Sequence, residues 1–109
     1  MPPKAKFGAR IKELRTEKKM TLDQLAEATK SSKSYIWELE NKNPPRPSAE
    51  KLSAIAKALG VTVDYLFGAD EQTKAEAEDV AFFREYCEMP EKTRIQLRAI
   101  AKTLTEKKD

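Results

Sequence analysis

Apolar residues in the first 68 positions recur three and four apart between dense turn signals, the period of short amphipathic helices rather than of strands. Phe7, Ile11 and Leu14 form one stripe, with Arg10, Lys12, Arg15, Lys18 and Lys19 around it, and predict a first helix over about residues 5–18. Thr21-Leu22-Asp23-Gln24 is a capping box, in which the threonine hydroxyl accepts an amide proton of the first turn while Gln24 reaches back to the cap amide. A second helix therefore starts there, buries Leu25 and Ala26, and ends near Ala28, where Thr29-Lys30-Ser31-Ser32 favours a turn. Ser32 caps a third helix ending near Glu40, with Ile36 and Leu39 facing inward and Lys33, Ser34, Trp37 and Glu38 left outside.

The run from Asn41 to Pro47 contains three prolines, which remove amide donors and push their neighbours to extended geometry, so it reads as a basic loop. Ser48 caps a fourth helix carrying Leu52, Ile55, Ala56 and Leu59 on one face, and Gly60 stops it as a left-handed residue. Thr62 caps a last turn that buries Val63 and Leu66, with Phe67 as a further candidate. From Ala69 onward only Pro90 interrupts, and two longer helices fit at about 71–88 and 91–105. Val80, Phe83 and Cys87, flanked by Phe82 and Tyr86, make the stripe of one; Leu97, Ile100, Ala101 and Leu104 make that of the other. The fold class is all-α: a five-helix head followed by a C-terminal two-helix hairpin.

Composition narrows the chemistry. The chain of 109 residues has one cysteine and no histidine, which excludes disulfide frameworks, Cys/His zinc sites and imidazole-based nucleophile pairs within it. No cofactor or metal site is expected, and paired carboxylates such as Glu76 and Asp79 read as solvated helix charges rather than as a catalytic pair. The net charge of +3 conceals an asymmetry, because residues 1–69 hold 13 Lys/Arg against 8 Asp/Glu while residues 70–109 hold 8 against 10. The positive charge thus belongs to the head. No apolar run approaches the roughly 18 residues of a membrane span, and the first residues lack the hydrophobic region of a signal peptide, so a cytoplasmic protein without a membrane partner is expected.

Two short helices joined by a tight turn, the second polar on its outer face, form a helix-turn-helix at about residues 21–40. The runs Ile11-Lys-Glu-Leu-Arg15, Thr21-Leu-Asp-Gln-Leu-Ala26, Ser32-Lys-Ser-Tyr-Ile36, Leu39-Glu40-Asn41 and Ile55-Ala-Lys-Ala-Leu-Gly60-Val-Thr-Val-Asp-Tyr-Leu66 resemble the Cro/C1-type (XRE) helix-turn-helix domain. The resemblance covers the first 68 residues and implies a lambda-repressor-like DNA-binding domain. It also implies that Arg15 and Glu40 form a partly buried structural pair. Two positions depart from the family pattern: Lys30 stands where a turn glycine is common, and Leu22 replaces a frequent glutamine.

In such a domain the third helix enters the major groove and the second crosses the backbone, which makes Lys33, Ser34, Trp37 and Glu38 the candidate base readers. Two readings of Trp37 stand, an apolar face for a thymine methyl or a partly buried core residue; for Tyr35 packing on the first helix or the loop is favoured. Thr21, Ser32, Asn41, Lys42 and Arg46 are the candidate phosphate contacts. Lys4 and Lys6 form an N-terminal arm favoured as uninvolved.

A single such domain makes few contacts with double-stranded DNA, so a homodimer on a palindrome is expected, with residues 69–109 as the pairing segment. Val80, Phe82, Phe83, Tyr86, Leu97, Ile100 and Leu104 are the candidate dimerisation residues, the competing reading being that they pack on the chain's own fifth helix. Cys87 is expected to pack as a small hydrophobe. The functional expectation is a sequence-specific transcriptional repressor. The alternative is an antitoxin or anti-regulator whose C-terminal helices bind a partner protein.

Overall fold

A computed structural model describes residues 3–42, 47–68 and 73–106, and of residues 3–6 the backbone alone. In chain order the described helices are α1 (Pro3–Glu17), α2 (Leu22–Ala28), α3 (Lys33–Asn41), α4 (Ala49–Leu59), α5 (Val63–Leu66), α6 (Lys74–Glu88) and α7 (Glu91–Glu106).

Five of the starts are written in short polar side chains. Thr21, Ser32, Ser48, Thr62 and Thr73 each accept the amide of the residue three positions on, which satisfies one of the donors that a helix N-terminus leaves without an intrahelical acceptor. At Thr21 and Thr73 the box is closed from the other side by Gln24 and Glu76. The box at Thr73 moves the start of α6 from the expected 71 to Lys74. The first helix is described from Pro3, ahead of the expected residue 5, and proline is tolerated in a first turn because the donor it lacks has no intrahelical acceptor there.

Three of the ends share one geometry. At α1 the amide of Lys19 bonds to Thr16 O and that of Met20 to Arg15 O; at α2 Lys30 bonds to Glu27 O and Ser31 to Ala26 O; at α4 Gly60 bonds to Lys57 O and Val61 to Ala56 O. This paired closure needs a left-handed residue, and φ is +57° at Lys19, +55° at Lys30 and +73° at Gly60. Glycine adopts that backbone freely, whereas each lysine does so against its Cβ.

The closures pack α1–α5 around one core. Ile11, Leu25, Ile36, Ile55, Leu59 and Leu66 are completely enclosed, and Phe7, Leu14, Ala26, Leu39, Leu52, Ala56 and Val61 complete the interior. Gly8 marks where α1 meets the end of α3, since a Cβ there would lie 2.6 Å from Leu39 O and 2.9 Å from Glu40 O. In α5, Tyr65 is buried and Val63 only half-buried, the reverse of the emphasis in the apolar pattern. The cause is Arg10, whose guanidinium lies 4.0 Å over the Tyr65 ring and donates to the Tyr65 carbonyl. Phe67 stacks on Phe7 with ring centres 4.9 Å apart.

The hairpin α6–α7 stands away from this core. Ala77 is the one residue of its described length that joins the buried cluster. Elsewhere an open cleft of about 440 Å³ separates Phe82, Ala81 and Glu85 of α6 from Ala56, Gly60 and Val61 of the head. Within the hairpin Arg98 donates to the Tyr86 hydroxyl at 2.6 Å, and Arg94 donates to Met89 O at 3.1 Å across the turn. The radius of gyration is 16.1 Å, against about 13 Å for a compact chain of this length. No described helix is long and apolar enough to cross a membrane.

Candidate nucleic-acid interface

The surface begins with α3, whose nine residues divide cleanly. Ile36 and Leu39 are sunk into the core, while Lys33, Ser34, Trp37 and Glu38 are exposed. Trp37 keeps 45% of its surface open, which places its ring outside the core and removes the buried reading of that residue. The helix thus presents a cation, a hydroxyl, an indole and a carboxylate along one outer face. These groups can donate to guanine, accept from cytosine or lie against a thymine methyl.

The base of α3 is fixed by charge. Arg15 Nε donates to Glu40 Oε2 at 2.6 Å and Nη2 to Oε1 at 3.0 Å, a two-pronged pair in which the Glu40 side chain is 1% and the Arg15 side chain 14% exposed. The hydrogen bond to Glu40 raises the Arg15 pKa above its ordinary value, so the guanidinium stays charged at any physiological pH. Arg15 Nη1 also donates to Met20 O at 2.9 Å and so ties the end of α1 to the entry of α2.

The turn between α2 and α3 is braced from α4. Lys51 Nζ donates to Ser31 Oγ at 2.7 Å, to Thr29 O at 2.9 Å and to Lys30 O at 3.2 Å. Below it the buried Thr29 hydroxyl reaches Leu25 O at 2.9 Å. Tyr35 packs half-buried against the core, and Lys51 of α4 faces its ring with Nζ 5.9 Å from the ring centre; most of the loop named as its alternative packing partner lies outside the described residues. Burial pushes the Tyr35 phenol above its ordinary value.

The candidate phosphate residues differ in what their side chains already do. Thr21 and Ser32 accept cap amides at 3.0 Å, and each hydroxyl has a proton left to donate outward. Asn41 turns its amide back to Trp37 O at 2.9 Å, and Lys42 Nζ lies 5.5 Å from the Trp37 ring centre. Arg46 lies outside the described residues. Lys4 and Lys6 fall by backbone within α1 rather than in a separate arm, and their side chains lie outside the description. Leu22, in place of a polar residue, packs half-buried against the core with Met20.

On the hairpin, Phe82, Phe83, Ile100 and Leu104 are exposed, whereas Val80, Tyr86 and Leu97 are half-buried. Cys87 is exposed rather than packed, because the core of the hairpin is too thin to cover that flank of α6. Ile95, absent from the apolar stripe read from the sequence, is half open to solvent beside them. Lys51 was missed because its partners lie 20 to 22 residues away and no local pattern signals them. Gly8 had a signal, since an isolated glycine inside a helical pattern usually marks a close approach.

A helix-turn-helix family model matches residues 11–66. The immunity repressor protein of Bacillus phage phi105 is 41% identical over 69 residues, covering 63% of this chain and 47% of the repressor, so the chain spans about half the length of that relative. A crystal structure of SinR, the master regulator for biofilm formation, in complex with DNA is similar at 37% identity and a TM-score of 0.52, over 55% of this chain and 95% of that one. A SinR protein/SinI protein complex is similar at 27% identity and a TM-score of 0.54, over 92% of this chain and 98% of that one.

Proposed function

Because the chain belongs to the Cro/C1-type helix-turn-helix family, we propose that it is a sequence-specific DNA-binding transcriptional regulator, a homodimeric repressor that acts in the cytoplasm on a palindromic operator. The observation that carries this reading is α3, held by its two enclosed side chains and by Glu40 while its polar face stands free. With α3 in the major groove, Lys33 donates to guanine O6 or N7, Glu38 accepts from cytosine N4, and Trp37 lies against a thymine methyl or a sugar. Thr21, Ser32 and Lys42 hold phosphates and set the register, as does Arg46 from the loop. Residues 1–68 are the reader and residues 69–109 the pairing element, whose exposed Phe83, Ile100 and Leu104 meet their copies across the two-fold axis. The family is one of DNA-binding transcription regulators rather than of enzymes.

A second reading has its own support. The SinR/SinI complex is a protein–protein assembly, and its likeness to this chain extends over 92% of it, α6–α7 included. In that reading the open face of the hairpin receives a different protein, and DNA binding serves self-regulation.

Selection of bound sequences from random duplex DNA, combined with a mass measurement in solution, separates the two. A palindromic motif bound by a dimer is the expected result, with Lys33→Ala relaxing one base position and Lys42→Ala weakening all sequences about equally. Sequence-independent binding that vanishes at moderate salt would overturn the reading. A monomer that binds one half-site would favour the second.

A further inference from the structure

We infer that Lys51, in the first turn of α4, is a positioning residue that sets the angle at which α3 is presented to DNA; this rests on the DNA-binding reading above. An ammonium carries three protons, and each of the three from Lys51 has an acceptor: Ser31 Oγ at 2.7 Å, Thr29 O at 2.9 Å and Lys30 O at 3.2 Å. The charge therefore serves the turn between α2 and α3, through two carbonyls and one hydroxyl.

The place where those protons go matters more than their number. Thr29 and Lys30 supply carbonyls at the C-terminal end of α2, which the helix cannot satisfy internally and where a positive charge is favoured. Ser31 immediately precedes Ser32, the cap whose hydroxyl starts α3. One side chain thus grips the end of the first helix and the approach to the second, and the same Nζ faces the ring of Tyr35 in the first turn of α3. The grip falls on a turn that resists its own geometry, since Lys30 is held at φ +55°. Without the brace, α3 keeps its core contacts through Ile36 and Leu39 but loses the restraint on its N-terminal turn, where Lys33 and Ser34 stand. Contacts to base edges tolerate such play poorly; contacts between cations and phosphates, which are long-ranged and non-directional, tolerate it well.

The test compares the full chain with its Lys51→Met variant on the motif that the wild type selects and on unrelated duplex DNA. The expected result is a loss of about tenfold or more on the motif, less than about twofold on unrelated DNA, and an unchanged dependence on salt, because no phosphate contact is removed. Amide exchange at Lys30 and Ser31, followed without DNA, should quicken in the same variant. Lys51→Gln, which keeps the aliphatic stem and fewer donors, should fall between, and it serves where the methionine variant folds poorly. Equal losses on both DNAs with the salt slope reduced by about one would make Lys51 a phosphate contact and overturn the inference. So would a lowered melting temperature with motif affinity unchanged, or a selective loss with turn exchange unaltered. If the wild type selects no motif, the DNA-binding reading fails by itself, and the exchange measurement still reports whether Lys51 braces the turn.

Discussion

The head and the hairpin treat similar residues in opposite ways. In α1–α5 six large aliphatic side chains are wholly enclosed, whereas in α6–α7 Phe83 and Leu104 remain 62% and 67% open. The charges follow the same division. Arg15 and Glu40 are paired out of water by two hydrogen bonds, but Lys57 and Glu88, the ion pair between α4 and α6, stand 3.8 Å apart with side chains 75% and 71% exposed. Lys74 and Glu17 make a second link at the other end of α6, and that hydrogen bond raises the Lys74 pKa above its ordinary value. The lesson is that the same sequence grammar of stripes and caps yields a finished core where five helices converge and an unfinished one where only two do.

That contrast can be broken at several points. The largest effect is expected for Arg15→Ala, which leaves the Glu40 carboxylate buried without its partner and should destabilise the head by about 3 kcal/mol. Lys57→Ala, by contrast, should change stability by less than about 0.5 kcal/mol. Urea denaturation of the two variants checks the pair; a head that melts normally without Arg15 would reassign that residue to DNA.

Leu59→Ala should cost about 3 kcal/mol, since it empties an enclosed site. Ile100→Ala should leave the stability of the dilute chain within about 0.5 kcal/mol of wild type while weakening self-association about tenfold. Sedimentation across a concentration series reads the second effect. Equal destabilisation by the two substitutions would mean that the face of α7 is already covered within one chain.

Smaller effects probe the turns. Lys30→Gly removes a left-handed strain of about 1–2 kcal/mol and adds unfolded-state entropy of about 0.5–1 kcal/mol, so a net gain of about 0.5–1 kcal/mol is expected. Lys19→Gly should behave alike, and denaturation midpoints that fail to rise would show that the lysines are not strained there. The smallest effect concerns pH. Burial raises the folded pKa of the Tyr35 phenol, so its stabilising contribution is complete below the ordinary tyrosine range and is lost as pH climbs through the folded value. Tyr35→Phe should remove that alkaline component, which a comparison of unfolding midpoints at neutral and strongly alkaline pH would detect.

Much of this was legible in the residues themselves. The box at Thr21, the caps at Ser32, Ser48 and Thr62, the stop at Gly60 and the enclosed Ile36 and Leu39 are local features, decided by side chains within four residues of the groups they serve; the box at Thr73 is equally local but does not enter the pattern that puts a helix at about 71–88. The polar outer face of α3 follows from the same periodicity. Tertiary structure alone decided the rest. Tyr65 is buried because Arg10, 55 residues earlier, lies on its ring; Trp37 is open because none of the described helices covers that side of α3; and Cys87 is exposed because α7 leaves one flank of α6 bare. Lys51 shows the division most sharply, since as a sequence it is one cation among 21 and its three bonds exist only once α4 lies beside the turn. Local hydrogen bonding and periodicity act over one or two helical turns and can be read along the chain, whereas burial and charge pairing depend on which distant surfaces meet.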